Sequence, residues 1–372
     1  MYALIGIDLG TTNSLVAILE AGKPVLLPNA LGERSTPSVV GLTPQGQLLV
    51  GRSARNQLAV APERTVAEMK RQMGSADGIP LGDRSYTATE LSSFVLMSLK
   101  EDAERYLGGP VTEAVITVPA YFNDAQRQAT REAGVLAGLK VERILNEPTA
   151  AALAYGLTHL DQEAHVLVYD LGGGTFDVSV LEMYSGVLEV RASSGNARLG
   201  GADFDALVVQ WLLEQIQRAH GLDLSADRGA MARLKLAAEQ AKIELSARTS
   251  ATIQLPFLAM KEGNPISPLV ELDRPTFEAL IGPLVRSTLE PVAAALRDAK
   301  LVPAQIGEIL LVGGSSRIPL VQRLVEEYFH KKPRFEVNPD EAVALGAAIQ
   351  AGLKAGAFSA ETGIMITDVA PF

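Results

Sequence analysis

Apolar residues first gather in Leu4-Ile5-Gly6-Ile7, stop at Asp8, break over Leu9-Gly10-Thr11-Thr12-Asn13, and resume from Ser14 to Leu19. The same order returns far along the chain. Val168-Tyr169 precede Asp170, Gly172-Gly173-Gly174-Thr175 interrupt, and Phe176 to Leu181 resume. Each copy predicts two β-strands joined by a glycine turn that something can approach closely. A second pair of echoes follows. Ala114 to Val118 before Pro119, and Ile309 to Val312 before Gly313-Gly314, read as buried strands, each leading into a helical stretch. Each half then reaches a helix of small residues, Pro148 to Gly156 in one and Asp340 to Ala348 in the other. Matches in the same order imply a duplicated domain, with the small residues letting two helices pack closely where the halves join.

Between the echoes lie insertions. Leu91, Phe94, Val95, Leu99, Ala103 and Leu107 recur at helix spacing, as do Phe204, Leu207, Val208, Trp211 and Leu212, and a further helix is expected over Leu234 to Leu245. Trp211 on its stripe is expected in the core. Thr252 to Asp273, with Pro256, Pro265 and Pro268, reads as a β-hairpin excursion.

A chain of 372 residues, 47% hydrophobic, exceeds what one core accommodates, so two lobes are expected. The net charge of −10 repels a phosphate backbone and argues against nucleic acid as a partner. There are no cysteines, which removes disulfides and thiolate chemistry; the four histidines lack the spacing that sets two on one helix face toward a metal. No apolar run reaches the roughly 20 residues that span a bilayer, and the expectation is a cytoplasmic protein without a membrane partner.

No Gly-x-x-x-x-Gly-Lys-Ser/Thr stretch is present, so phosphate binding rests on the two glycine turns. Glycines bring backbone N–H groups to phosphate oxygens and threonines add hydroxyl donors. A carboxylate at each turn, Asp8 and Asp170, can hold a hydrated Mg²⁺ between them. Two such turns, facing, would grip a polyphosphate from both sides. At Gly313-Gly314-Ser315-Ser316-Arg317 a buried strand gives way to a helix, and bare backbone there can lie against a flat base with Arg317 at its edge.

Asp8 to Asn13, Val118 to Phe122, Asn146 to Ala152, Asp170 to Asp177 and Asn338 to Val343, in this order, closely resemble motifs of the DnaK-type 70-kDa heat-shock chaperones, within the actin and sugar-kinase superfamily. The resemblance covers essentially the whole chain. It implies an α/β, actin-like ATPase fold of two duplicated, ribonuclease H-like lobes. Lobe I would be 1–165 with an outer subdomain at about 34–108, lobe II 166–363 with one at about 203–282, and 364–372 the start of a linker to a peptide-binding domain. The implied ligands are ATP or ADP, Mg²⁺ and potassium ions.

Residue by residue, the resemblance gives Gly10, Thr11, Thr12 and Asn13 to the phosphates from one lobe, and Gly172, Gly173, Gly174, Thr175, Gly200 and Gly201 from the other. Lys70, Glu147, Asp170, Asp177, Thr175 and Asp8 surround the attacking water, with Asp8, Asp170 and Glu147 meeting Mg²⁺ largely through water. Asp8, Thr175 and Asp170 match potassium ligands. Glu239, Lys242 and Ser246, on one helix face, would hold the nucleoside with Gly313, Gly314, Ser315, Arg317 and Asp340. Taken by itself, Lys70 reads as an exposed lysine. Arg127 matches a relay from the γ-phosphate, and Arg143 with Asp368 a contact for a J-domain co-chaperone. The other implied partners are a nucleotide exchange factor and unfolded client peptides.

Two features depart from the ordinary pattern. The stretch from Gly74 to Glu90 is markedly shorter, which is expected to alter the outer part of lobe I and, with Thr367-Asp368, is similar to the divergent bacterial HscC branch. Ile364 to Asp368 carries a polar Thr367 and is expected to dock as a linker rather than to sit as an edge strand. A small-molecule kinase or a filament-forming actin homologue would share the fold and differ in acceptor or in polymer formation.

Overall fold

Each half of the chain opens with the expected hairpin, and each hairpin lies inside a larger mixed sheet. The computed structural model describes residues 3–157, 159, 163–184, 186–334, 337–357 and 365–367.

In the first lobe β1 (Ala3–Asp8) pairs antiparallel with β2 (Asn13–Glu20), β3 (Lys23–Leu26) adds beyond β2, and β4 (Thr36–Pro37) pairs with the start of β2. The outer insertion supplies β5 (Val39–Leu42), β6 (Leu48–Val50), α1 (Arg52–Gln57), β7 (Thr65–Ala67), and the hairpin β8 (Ile79–Leu81) with β9 (Arg84–Tyr86). The shortened stretch is thus a complete hairpin. Its Ile79 and Leu81 bury in the same core as Ile5 and Leu91, so the outer part of the lobe is built despite the missing length.

The chain returns through α2 (Ala88–Leu107), whose start is fixed by Thr87 and Glu90: the Thr87 hydroxyl accepts from the Glu90 N–H at 3.2 Å, and the Glu90 carboxylate accepts from the Thr87 N–H at 2.7 Å. β10 (Val111–Val118) lies parallel to β1, α3 (Asp124–Leu136) crosses over, β11 (Lys140–Asn146) lies parallel to β10, and α4 (Glu147–Gly156) follows. The strand order is β11-β10-β1-β2-β3.

The second lobe repeats this plan with β12 (Ala164–Leu171), β13 (Phe176–Tyr184) and β14 (Val187–Asn196), successive antiparallel neighbours. Its insertion contains α5 (Gly201–His220), α6 (Arg228–Ala247), then β15 (Ser250–Gln254), β16 (Ala259–Lys261), β17 (Asn264–Ile266) and β18 (Leu269–Asp273), the outer two paired and the inner two paired. α7 (Arg274–Ser287) and α8 (Leu289–Asp298) lead to β19 (Glu308–Val312), parallel to β12, and then α9 (Pro319–Phe329) and α10 (Ala342–Lys354). Among the described residues, the place of β11 beside β19 is taken by one parallel bridge, Leu310 to Arg334. Contrary to the sequence expectation, residues 274–298 form a helical run long and apolar enough, by length and composition, to cross a bilayer. Its Phe277, Ile281, Val285, Val292 and Leu296 are buried among the residues of lobe II, which makes it a core element.

β20 (Met365–Thr367) pairs in parallel with β14, Val187 opposite Met365. The expectation that this run avoids an edge-strand position is therefore corrected: the free edge of β14 offers unpaired N–H and C=O groups, and the backbone of 365–367 satisfies them. Ile364 and Asp368 lie outside the described residues.

Two helices exchange lobes. α10, which ends the second repeat, packs on β1, β2 and β3 of the first lobe, while α4, from the first, packs on β12, β13 and β14 of the second. Where they cross, a Cβ added to Gly346 would stand 1.7 Å from the Ala150 carbonyl oxygen, and one on Gly6 would stand 2.2 Å from the Ala348 nitrogen. Backbone meets backbone, and no side chain can move aside. Gly346→Ala is therefore expected to destabilise the chain by about 3 kcal/mol or more, the upper range of overpacking. Gly109→Ala, where an added Cβ meets nothing within 4 Å, should be close to neutral; thermal melts of both variants check this.

Candidate functional site

The two glycine turns face each other across the mouth of a cavity of about 570 Å³ between the lobes. The first turn is pinned: Gly10 N–H donates to Ser14 Oγ at 3.2 Å, and Ser38 Oγ donates to the Gly10 carbonyl at 2.8 Å. The turns are in near contact, since a Cβ on Gly173 would fall 2.0 Å from Thr12 Oγ1 and one on Gly174 would fall 2.6 Å from Thr11 Cγ2. Glycine is required there because the opposite lobe occupies the space. Asp8, Gly10, Thr11, Thr12, Asn13, Asp170, Gly172, Gly173 and Thr175 all line the cavity. Gly174, Gly200 and Gly201 do not; they support the second turn from behind. Gly201 N–H donates to the Gly172 carbonyl at 3.0 Å.

Lys70 is the sharpest departure from a sequence-only view. It is 3% exposed, and its Nζ donates to Glu147 Oε1 at 2.6 Å, with the Phe122 ring 5.7 Å away. The 3₁₀ turn Met69–Gln72 carries it inward, and Glu147 is the first residue of α4. Around this pair lie two more buried carboxylates, Asp170 and Asp177, and the half-buried Asp8. Asp8 accepts from Thr117 Oγ1 at 3.0 Å, and burial, then repulsion from Glu147, pushes its carboxyl up to about 7 against the opposing pull of Lys70. Asp170 is raised well above the usual range by burial and by Glu147, Asp177 and Asp8. Asp177 accepts from the Tyr121 N–H at 2.9 Å and is pushed up to about 7, mainly by burial. It lies behind the cavity wall.

Four acids thus share one lysine. Among the described residues no three His, Asp or Glu side chains are close enough to coordinate one ion directly. Their joint excess of negative charge fits a divalent cation held at a distance, through water.

The far end of the cavity has the predicted character. Gly313, at φ 79°, would with a Cβ strike the Leu171 carbonyl oxygen at 2.5 Å, and Ser315 Oγ donates to the Gly172 carbonyl at 2.9 Å. Arg317 donates to Asp340 at 2.9 Å and to Asn338. From α6, Glu239, Lys242 and Ser246 line the wall together with Ile243, which is half exposed. Their polar groups already have partners: Arg55 donates to Glu239 at 2.7 Å across the cleft, and Lys242 Nζ donates to Asp205 at 2.8 Å and to the Gly201 carbonyl at 3.1 Å.

Arg55 and Asp205 escape the sequence reading. Arg55 sits on a short polar helix with no distinguishing pattern. Asp205 leaves a trace, being an acid beside Phe204 on the buried stripe of α5, where burial lifts its carboxyl to about 6 against the pull of Lys242. Arg34 and Glu341, 3.5 Å apart, also line the cavity unforeseen. Arg127, on α3, donates to the Phe122 and Ala120 carbonyls and to Asn146 Oδ1, next to Glu147. Arg143 donates to Gln350 on α10 at 3.2 Å and does not line the cavity.

Comparison with known proteins adds an independent line. The family model described as Hsp70 protein matches residues 4–80 and 76–372. DnaK chaperone proteins of Thermotoga neapolitana and Thermotoga maritima are each 53% identical over 371 residues, 99% of this chain and 62% of theirs. That of Thermosipho africanus is 52% identical over 370 residues. These relatives bear the DnaK name, not that of the HscC branch to which the short segment pointed, and the chain spans 62% of their length. The duplicated lobes, the facing glycine turns and this match along nearly the whole sequence together establish that the chain belongs to the Hsp70 family, with the actin-like fold of that family's ATPase domain.

Proposed function

We propose that this chain binds ATP with Mg²⁺ in the cleft and hydrolyses it to ADP and phosphate, as the nucleotide-driven part of a cytoplasmic chaperone acting in protein folding and the stress response. The observation that carries the reading is the pair of glycine turns, one from each lobe, beside a buried lysine, the buried carboxylates of Glu147, Asp170 and Asp177, and the half-buried Asp8. Thr11, Thr12 and Asn13 on one side and Gly172 to Thr175 on the other direct backbone N–H and hydroxyl groups at the β- and γ-phosphates. When bound, Mg²⁺ offsets the charge of the phosphate oxygens. Asp8, Glu147 and Asp170 hold it through water, and Asp8, Asp170 and Thr175 offer oxygens to potassium ions.

Lys70 orients the attacking water and offsets charge that builds on the γ-phosphate; its present bond to Glu147 keeps the ammonium in place within a site that excludes bulk water. Asp177, pushed up to about 7, suits a group that exchanges a proton near neutrality. Glu239, Lys242, Ser246, Gly313, Gly314, Arg317 and Asp340 enclose the nucleoside. Residues 364–368 act as the linker to a peptide-binding domain for unfolded clients, docking as the strand that extends the lobe II sheet, with Arg143 and Asp368 meeting a J-domain protein and an exchange factor opening the lobes. Phosphate release from ATP with no added acceptor tests the reading; dependence on an acceptor would replace it with a kinase.

Lys70→Ala should leave ATP affinity within roughly tenfold and slow single-turnover hydrolysis on the order of a hundredfold, because the lysine acts in the transition state. Equal losses in binding and rate would contradict that role.

Protons and Mg²⁺ compete for Asp8 and its neighbours. Since the Asp8 carboxyl titrates near 7, Mg²⁺ affinity should fall as pH drops from about 8 to 6, with net proton release on binding. Calorimetry in buffers of different ionisation enthalpy reads that release directly, and Asp8→Asn should shrink it.

The chain as given and one ending at Gly363 should differ in basal hydrolysis and in response to a J-domain protein, the longer being faster and responsive. Arg143→Ala should lose the response and keep the basal rate, as a rim charge governs association. Identical behaviour of both lengths would reduce 365–367 to an ordinary edge strand.

A further inference from the structure

The 3₁₀ turn Met69–Gln72 sends two neighbouring cations in opposite directions. Lys70 enters the cleft and meets Glu147. Arg71 leaves it and crosses to the second lobe, where its Nη2 donates to both carboxylate oxygens of Asp203, at 2.9 and 3.0 Å. A charge-assisted contact to both oxygens fixes direction as well as distance. Neither residue lines the nucleotide cavity; both border a separate depression floored by α5 and α6.

Asp203 is tied to the phosphate-binding machinery from the other side. It stands in the first turn of α5, and its Oδ2 also accepts from the Gly200 N–H at 2.8 Å. The Gly201 and Ala202 N–H groups donate to the Gly172 and Gly173 carbonyls at 3.0 and 2.8 Å. A Cβ on Gly200 would lie 2.5 Å from the Gly174 nitrogen, so this helix start cannot shift without moving the second glycine turn. Lys70 and that turn therefore line one cavity from opposite lobes and are joined behind it through Arg71, Asp203 and the start of α5.

The turn that carries Lys70 needs such a hold. It begins at Glu68, whose φ of 58° is left-handed, a conformation that residues with a side chain seldom adopt. Lys235 of α6 reaches Glu68 at 2.5 Å, again from the second lobe. Glu68, Arg71, Asp203 and Lys235 balance in charge, so this cluster is complete without a ligand.

We propose that Arg71 and Asp203 are a positioning pair for hydrolysis: they clamp the 69–72 turn to the start of α5 when the lobes close, and so set where the Lys70 ammonium stands relative to the phosphates held at Gly172 to Thr175. The proposal rests on the ATPase reading above. Arg71 touches no nucleotide and acts through Lys70.

The test is single-turnover ATP hydrolysis with Mg²⁺, paired with equilibrium ATP binding and thermal melts. Asp203→Asn keeps an oxygen for the Gly200 N–H, so the helix start survives. Arg71→Gln and Asp203→Asn should each slow hydrolysis about tenfold, the scale set by displacing a catalytic group, with ATP affinity within about threefold and melting near that of the parent. The double variant should be no slower than either single one, and Arg71→Lys should recover part of the rate. On a Lys70→Ala background, Arg71→Gln should cost nothing further. Losses that multiply in the double variant or on that background, or affinity that falls in step with rate, would overturn the pairing. A slow Lys70→Ala beside an Arg71→Gln of parental rate sinks the clamp alone; a Lys70→Ala of parental rate sinks the reading of Lys70 and the clamp with it.

Discussion

Where Gly346 of α10 meets Ala150 of α4 there is no room for a side chain, and the geometry of the cleft depends on that contact. Gly346 lies against the Ala150 backbone and Gly6 against Ala348, so the two helices and the β1 strand are locked at backbone distance. Each helix rests on the other lobe's sheet. Their starts consequently converge: α4 opens at Glu147, and α10 opens just after Asp340 and Glu341, all on the cavity wall. Helix N-termini offer free N–H groups and the positive end of a dipole, which favours an anionic ligand between them. The packing that joins the lobes also brings both helix starts to the cavity wall.

Charge is handled in two ways within a short distance. In and behind the cleft wall four carboxylates share Lys70, and burial with mutual repulsion leaves Asp8, Asp170 and Asp177 harder to ionise. Such a site has the charge to attract a cation, the role given it in the proposed function. At the cleft wall and beside it, Arg55 with Glu239, Arg71 with Asp203 and Lys235 with Glu68 pair across the lobes. Each is partly exposed and so individually weak. Weak contacts suit a cleft that must reopen, whereas a large buried interface would hold it shut.

The architecture was legible because duplication writes it twice. Two Asp-glycine turns, two buried strands and two small-residue helices predict both lobes and their junction from periodicity and spacing alone. The phosphate turns were legible for the same reason. Lys70 was not: its neighbours Glu68, Arg71 and Gln72 are polar, and only the tertiary path of that turn buries it. Arg55 and Arg71 are ordinary arginines until the second lobe supplies Glu239 and Asp203, partners more than a hundred residues away. The face of Glu239, Lys242 and Ser246 was pointed to by the family resemblance, with helix spacing showing only that the three share a side, and the tie of Lys242 to Asp205 needed coordinates. The pairing of the terminal run with β14 was not legible because so short a segment carries no mark of which edge it will meet.

The exchange of helices bears on how the chain is made. β1 and β2 emerge early, yet Leu15 and Ala17 are covered by Ala344 and Ala348 of α10, near the other end of the described chain. During synthesis that apolar face waits, uncovered, for more than three hundred residues to be added, and contacts of such separation are slow to form. A protein of a family that protects others from exposed apolar surface is therefore, while on the ribosome, a bearer of such surface itself.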